Sequence, residues 1–377
     1  MANAPVHFLA FNGPWQLIVA CAAIRRRHGE LEDASRWKLL LTGATRGSRL
    51  HQLLLRLCEA YFPGGEVLDL TALGDIRARD DLIAFVVARR LEAGEVWLAY
   101  PGTTIAGTLH LLFPQASFQV FEEGLHSYTQ DFAMESDAPR GALARQILGP
   151  RVRRGDFEQL RRLSGFAYRK SLNALMKSAP PVDCFHGILT ETVPPAVGQG
   201  VAVSAIPQAL IREEIDRYAR FAGAETPVYR EPTILVLGDN LLWPLRLHYQ
   251  EVLELTVELF RSMIDSGYQV VWKPHPRMPA FCSDYLVLKV ASSRLIWEPQ
   301  ADLVPAEVAY GGSGLSGVAS LMSSCLLYFP LLYDIPGYCL PAVEGFSILK
   351  PGLQEVRRIC ERNAEPWSAL GTPLSHS

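Results

Sequence analysis

Short, almost wholly apolar runs alternate with longer stretches whose apolar positions recur at helical spacing along most of the chain. Val6 to Phe11 is the first β-type run, and it closes at Asn12-Gly13-Pro14. That turn also starts a helix, with proline at the first helical position. The helix continues through Leu17, Ile18, Ala22 and Ile24 to Arg25-Arg26-Arg27, a basic end that complements the helix dipole. Strands are predicted next at Leu39–Leu41, Glu66–Leu70, Glu95–Ala99 and Phe118–Phe121, and helices at Leu50–Tyr61, Asp80–Leu91 and Thr104–Leu112. Apolar strands that each lead into a helix indicate a parallel sheet covered on both faces.

Arg140–Lys177 breaks this rhythm with a helical, arginine-rich pattern that includes Arg153 and Arg154 and few acids. Cys184–Leu189 reads as a further strand of the first sheet. Pro194–Gly200 is the best linker, and Leu210–Phe221 is a charged helix near the boundary. A second series follows, with strands at Thr233–Leu237, Tyr268–Trp272, Leu295–Trp297 and Cys325–Phe329 and a long helix at Glu251–Ile264. Gly311-Gly312-Ser313-Gly314 is expected to open another helix, and Gly317–Tyr333 reads as a buried helix followed by a strand. The expectation is α/β: two Rossmann-like doubly wound domains, residues 1–205 and 206–377, facing a central cleft.

Composition narrows the partners. The chain has 377 residues, 49% hydrophobic and 20% charged, with a formal net charge of -3. That length suits two cores, and that charge makes no general demand for nucleic acid. Seven scattered Cys without a CxxC pair suit reduced thiols. The N-terminus lacks a basic segment followed by an apolar one, so no signal peptide is expected. A cytoplasmic protein is expected, with the arginine-rich region as the means of peripheral association with the inner face of an acidic membrane. A solvated helix face would use the same arginines.

Four groups carry candidate chemistry. Lys273-Pro274-His275-Pro276-Arg277 ends a strand with a histidine fixed between two prolines and flanked by cations. Such a histidine can give a proton or hydrogen bond to a departing phosphate oxygen. Glu122-Glu123-Gly124 follows another strand end. Adjacent side chains point apart, so one carboxylate can face a substrate while the other holds the loop. A buried glutamate can deprotonate a sugar hydroxyl. The residues Gly312, Ser313, Gly314 and Ser316 can expose backbone amides and hydroxyls to a phosphate, and Glu298, at a preceding strand end, can accept from a ribose. The fourth group is the arginine-rich stretch, a track for an anionic acceptor. No metal-ligand spacing of the HxxxH, HExxH or Asp-x-Asp kind occurs, so no metal or cofactor is expected.

With these residues in place, the chain resembles the bacterial polysialyltransferase family, which is related to the bacterial sialyltransferases of GT-B fold. Glu122-Glu123-Gly124, extended to Ser127-Tyr128, matches its acidic motif, and His275-Pro276 matches its His-Pro motif. Asn12-Gly13-Pro14-Trp15-Gln16 resembles its opening, and Leu235-Val236-Leu237-Gly238 the start of its nucleotide-binding half. The resemblance implies an inverting, metal-independent transfer of a sialic or other nonulosonic acid from a CMP-sugar to a glycan, in surface polysaccharide synthesis. It implies Glu123 or Glu122 as general base and His275 as the group assisting CMP departure. Lys273, Pro276, Arg277, Gly238, Glu298 and the Gly312–Ser316 run would hold CMP. Asn12, Gly13, Gln16, Ser127, Arg153 and Arg154 would meet the acceptor. The family's Ser-Ser pair reads Ser313-Gly314 here, and Ser316 and Ser323-Ser324 are alternative counterparts. A CMP-Kdo transferase, a CDP-alcohol phosphotransferase of teichoic-acid type and a non-catalytic nucleotide-sugar or glycan-binding protein are the competing readings.

Overall fold

The computed structural model describes residues 4–29, 33–71, 75–129, 132, 180–197, 200–238, 249–275, 278–297, 304–341 and 351–370. Their contacts divide the chain into two units, Met1–Glu214 and Ile215–Ser377. The sequence-predicted alternation is present in both.

In the first unit the elements are β1 (Val6–Phe11), α1 (Pro14–His28), β2 (Trp37–Leu41), α2 (Arg49–Tyr61), β3 (Glu66–Asp69), α3 (Asp75–Arg89), β4 (Ala93–Leu98), α4 (Thr104–Leu112), β5 (Ser117–Phe121), β6 (Cys184–Gly187) and β7 (Ala202–Ala205). The strands form one sheet in the order β3-β2-β1-β4-β5-β6-β7, and every neighbouring pair is parallel. Phe8, Leu40, Val96, Leu98 and Phe118 bury one face beneath α3 and α4, while α1 is buried from Gln16 to Ile24. The Pro/Gly-rich stretch expected as a linker leads into β7, which joins this sheet beside β6. The two units divide further on, inside α5 (Gln208–Ala222).

The second unit contains β8 (Thr233–Leu237), α6 (Tyr249–Asp265), β9 (Gln269–Lys273), α7 (Ala280–Val290), β10 (Leu295–Trp297), α8 (Ala306–Tyr310), β11 (Gly317–Ser320), α9 (Cys325–Tyr333), β12 (Gly337–Cys339), α10 (Pro351–Asn363) and β13 (Glu365–Pro366). Its sheet runs β10-β9-β8-β11-β12-β13, again all parallel. The period of two along a strand is visible in β9. Val270 and Trp272 enter the core with Ile234, Val236 and Phe260, and Val271 enters the opposite core with Leu235 and Phe329. In chain order both sheets read 3-2-1-4-5-6, the doubly wound order, with β7 added as a seventh strand at the edge of the first. Such sheets take ligands beyond their carboxyl edges, where the strand order reverses. Those points lie between β1 and β4, and between β8 and β11.

Two expectations about the second unit are corrected. The segment from Gly317 to Tyr333 is a strand followed by a helix, not a helix followed by a strand, and Cys325–Phe329 lies in α9. An apolar run buried on all sides has no periodicity to separate the two states. The glycine-rich run 311–316 opens no helix. It follows the short α8 and leads into β11. Among the described residues, no helix is long and apolar enough to cross a membrane.

Candidate active site

The carboxyl edge of the first sheet holds a cavity of about 470 Å³ at the reversal between β1 and β4. Its polar wall includes Asn12, Gln16, Thr42, Tyr100, Thr103 and Glu123, set on a floor of apolar strand ends. The position follows from topology, because each wall loop leaves the same edge of a parallel sheet. α4 begins at this wall, its first turn capped by Thr103, whose hydroxyl accepts the Ala106 N–H at 3.1 Å.

The two adjacent glutamates after β5 have different surroundings. Glu122 is fully buried. Its Oε2 accepts the Tyr128 hydroxyl, the Ile188 N–H at 2.5 Å and the Leu189 N–H at 3.2 Å. It therefore ties the turn after β5 to the turn after β6. Burial, followed by the Glu122 charge, raises the Tyr128 hydroxyl pKa far above its ordinary value, so the phenol keeps its proton. Gly187 is needed beside this clamp, since a Cβ there would lie 2.6 Å from the Tyr128 hydroxyl.

Glu123 instead lines the cavity. Its Oε2 accepts the Gln16 amide Nε2 at 3.1 Å, and its backbone N–H donates to Ser127 Oγ at 3.0 Å. Gly124, at φ 144, makes the sharp turn that follows. Burial raises the Glu123 pKa, while the nearby His126 and the Gln16 hydrogen bond oppose the rise. A carboxylate of raised pKa at a polar cavity can take a proton from a hydroxyl. Asn12, Gln16, Glu123 and Ser127 are thus brought together, with Gly13 as the N-cap of α1. Sequence reasoning missed Thr42, Tyr100 and Thr103. Their signal was available, since they follow the predicted strands β2 and β4 at the ligand-binding edge.

In the second unit, β9 ends at Lys273 and passes through Pro274 to a half-buried His275. The His275 carbonyl accepts the Met278 N–H at 2.8 Å. Gly238 follows β8 alongside, and its N–H donates to the Lys273 carbonyl at 2.8 Å. A Cβ at 238 would lie 2.9 Å from both the His275 nitrogen and the Trp272 ring, so this close approach needs glycine. Lys273 is only 8% exposed, and its charge acts on the buried Glu307 and Cys325.

The run Gly312, Ser313, Gly314 and Ser316 is also corrected. It precedes β11, which is parallel to β8, so it lies at the amino edge of the sheet, opposite the edge of His275. Ser313 is buried, with its hydroxyl on the Tyr310 carbonyl at 2.6 Å. Ser316 Oγ accepts the Thr233 N–H at 3.3 Å. Both serines brace the loop. Ser323 and Ser324 follow β11 and begin α9, at the carboxyl edge beside Gly238. Ser323 Oγ accepts the Cys325 N–H at 3.3 Å, and Ser324 is the N-cap. Pro276, Arg277, Glu298, Arg153 and Arg154 lie outside the described residues. Among the described residues, no group of three His, Cys, Asp or Glu side chains is placed to hold a metal ion.

Residues 103–340 match the family model described as alpha-2,8-polysialyltransferase, well over half of the chain. The chain belongs to the alpha-2,8-polysialyltransferase family. The match runs from the cavity wall at Thr103 past both Ser323 and Ser324, and family membership makes the protein a glycosyltransferase. Solved structures are similar in fold across nearly the whole length of this polysialyltransferase-family chain. S. aureus MnaA, solved with UDP, has a TM-score of 0.52 at 12% identity, covering 98% of this chain and 92% of its own. A 2,6-sialyltransferase from Photobacterium sp. JT-ISH-224, solved with the donor product CMP and the acceptor substrate lactose, has a TM-score of 0.52 at 10% identity. It covers 97% of this chain and 78% of its own. The paired parallel sheets are those of the GT-B class. No curated protein is significantly similar to the chain.

Proposed function

We propose that this enzyme transfers a sialic acid from its CMP derivative to a hydroxyl of a glycan acceptor, in one inverting displacement. Glu123 takes the proton of the acceptor hydroxyl as its oxygen bonds to the anomeric carbon of the donor. The bond from that carbon to the phosphate oxygen breaks, and its electron pair leaves on CMP. His275 gives a proton or hydrogen bond to the departing phosphate, and the start of α9, with Ser323 and Ser324, offers it amides and hydroxyls.

Glu123 carries this reading: a half-buried carboxylate of raised pKa, fixed at the wall of a polar cavity. Family membership supports the donor class. The leaving phosphate needs charge stabilisation, and the reading assigns it to protein groups, so turnover is expected to persist in EDTA. An anionic acceptor, peripheral membrane association and a role in surface polysaccharide synthesis belong to the same proposal.

The test is CMP release from a panel of CMP-activated sugars, with and without glycan acceptors. CMP-sialic acid should be consumed, and His275→Ala should abolish the release. Full activity of His275→Ala on every donor, or consumption of CDP-glycerol alone, would overturn the reading.

A further inference from the structure

We infer that Gln16 is the positioning residue of the Glu123 carboxylate, locked in one orientation by the turn at Asn12. The inference rests on the reading of Glu123 as base and goes beyond it, because Gln16 was expected to meet the acceptor.

A glutamine amide has one accepting end and one donating end. Gln16 Oε1 accepts the Asn12 N–H at 2.8 Å, and Nε2 donates to Glu123 Oε2 at 3.1 Å. Turning the amide over would set an oxygen against a carboxylate and an NH₂ against an N–H, and both contacts would be lost. Gln16 is 7% exposed, so water offers poor compensation. The network therefore permits one orientation. It holds Oε2 and leaves Oε1 for a substrate hydroxyl.

The turn that supplies the lock is fixed in its own right. A Cβ at Gly43 would lie 2.6 Å from the Asn12 Cβ, and Gly43 has φ 82. Thr42 donates its N–H to the Phe11 carbonyl at 3.0 Å and its hydroxyl to the same oxygen at 3.2 Å. Placement thus passes from Gly43 to Asn12, to Gln16 and to the base. On its other side Glu123 is set by Ser127 and Gly124. Among the described residues, the ionisable group that acts on Glu123 is His126. The Gln16 hydrogen bond favours the charged carboxylate, so its removal lets the Glu123 pKa rise further.

The experiment compares the wild type with Gln16→Ala, Gln16→Glu and Gly43→Ala, using CMP-sialic acid and a short α2,8-linked sialic acid oligomer. Thermal melts establish that each variant is folded. For Gln16→Ala, kcat should fall about 10- to 100-fold, as for a misplaced catalytic group, with acceptor KM within about threefold. The acidic limb of the kcat profile should move to higher pH. It should move further in Gln16→Glu, where two neighbouring carboxylates share a proton. Gly43→Ala, whose added methyl meets Asn12 first, should lower kcat and move the limb the same way. A raised acceptor KM with wild-type kcat and an unmoved limb would make Gln16 an acceptor contact and overturn the inference. Glu123→Gln separates the two levels. If it is inactive while the Gln16 variants behave as wild type, only the positioning role falls. If it keeps wild-type turnover, the base assignment falls with it.

Discussion

Glu122 and Tyr128 are joined by a hydrogen bond in the interior of the first domain, and the same carboxylate oxygen also takes two backbone amides from the turn after β6. The neighbouring Glu123 shares none of these partners. Glu122→Gln replaces the charged acceptor of three donors with a neutral amide in a buried site, and should cost about 2–4 kcal/mol of stability, read by urea unfolding. Glu123→Gln should leave the unfolding midpoint nearly unchanged and lower turnover by about 10² or more. The reverse pattern would exchange the two roles.

The serines give a second contrast. Ser324→Ala should raise the KM for CMP-sialic acid about tenfold, the scale of one lost charge-assisted hydrogen bond. Ser313→Ala removes only the bond to the Tyr310 carbonyl. It should leave that KM alone and lower stability by about 1 kcal/mol. Steady-state kinetics with CMP-sialic acid and a melting curve for each variant decide between the two serines.

Gly238→Ala tests the donor side through the backbone. The added methyl meets the His275 nitrogen and the Trp272 ring at 2.9 Å. Overpacking of this kind costs about 1–3 kcal/mol and shifts the backbone. Turnover should fall at least tenfold, because the displaced segment carries His275. Wild-type turnover in a folded Gly238→Ala protein would show that His275 does not depend on this packing.

Acid should weaken the fold before the carboxylates titrate. Burial lowers the His186 pKa from 6.5 to about 4, and its Nε2 lies 2.9 Å from Gln119 Oε1. Between these values the unfolded chain binds a proton that the folded chain refuses, so stability falls as pH drops from about 6.5 to about 4. The full shift corresponds to roughly 3 kcal/mol. His7, also lowered chiefly by burial, contributes with the same sign. Urea midpoints measured across this window should slope with pH, and the slope should flatten in His186→Phe.

The strands and helices that precede the site were legible because apolar runs and turn residues alternate cleanly from Val6 to Phe121. β7 was not legible: Ala202–Ala205 is a short, largely exposed edge strand beside a Pro/Gly-rich stretch, and its pairing with β6 supplies what its sequence lacks. α9 was misread because Cys325 to Phe329 is buried throughout. At the site, the residue types were visible and their division of labour was not. Which of Glu122 and Glu123 faces the cavity depends on where residues 188 and 189 bring their amides, a contact across more than sixty positions of chain. The glycine-rich run 311–316 misled for a similar reason. Its composition suits a phosphate, but the direction of β11 puts it at the other edge.

Each sheet reverses its strand order once, and each has its own hydrophobic interior. Mutational drift in the interior that shapes the Glu123 cavity therefore leaves the packing behind His275 intact. If Glu123 serves the acceptor and His275 the donor, as proposed, a substitution within one interior alters one specificity while the other interior keeps its own packing.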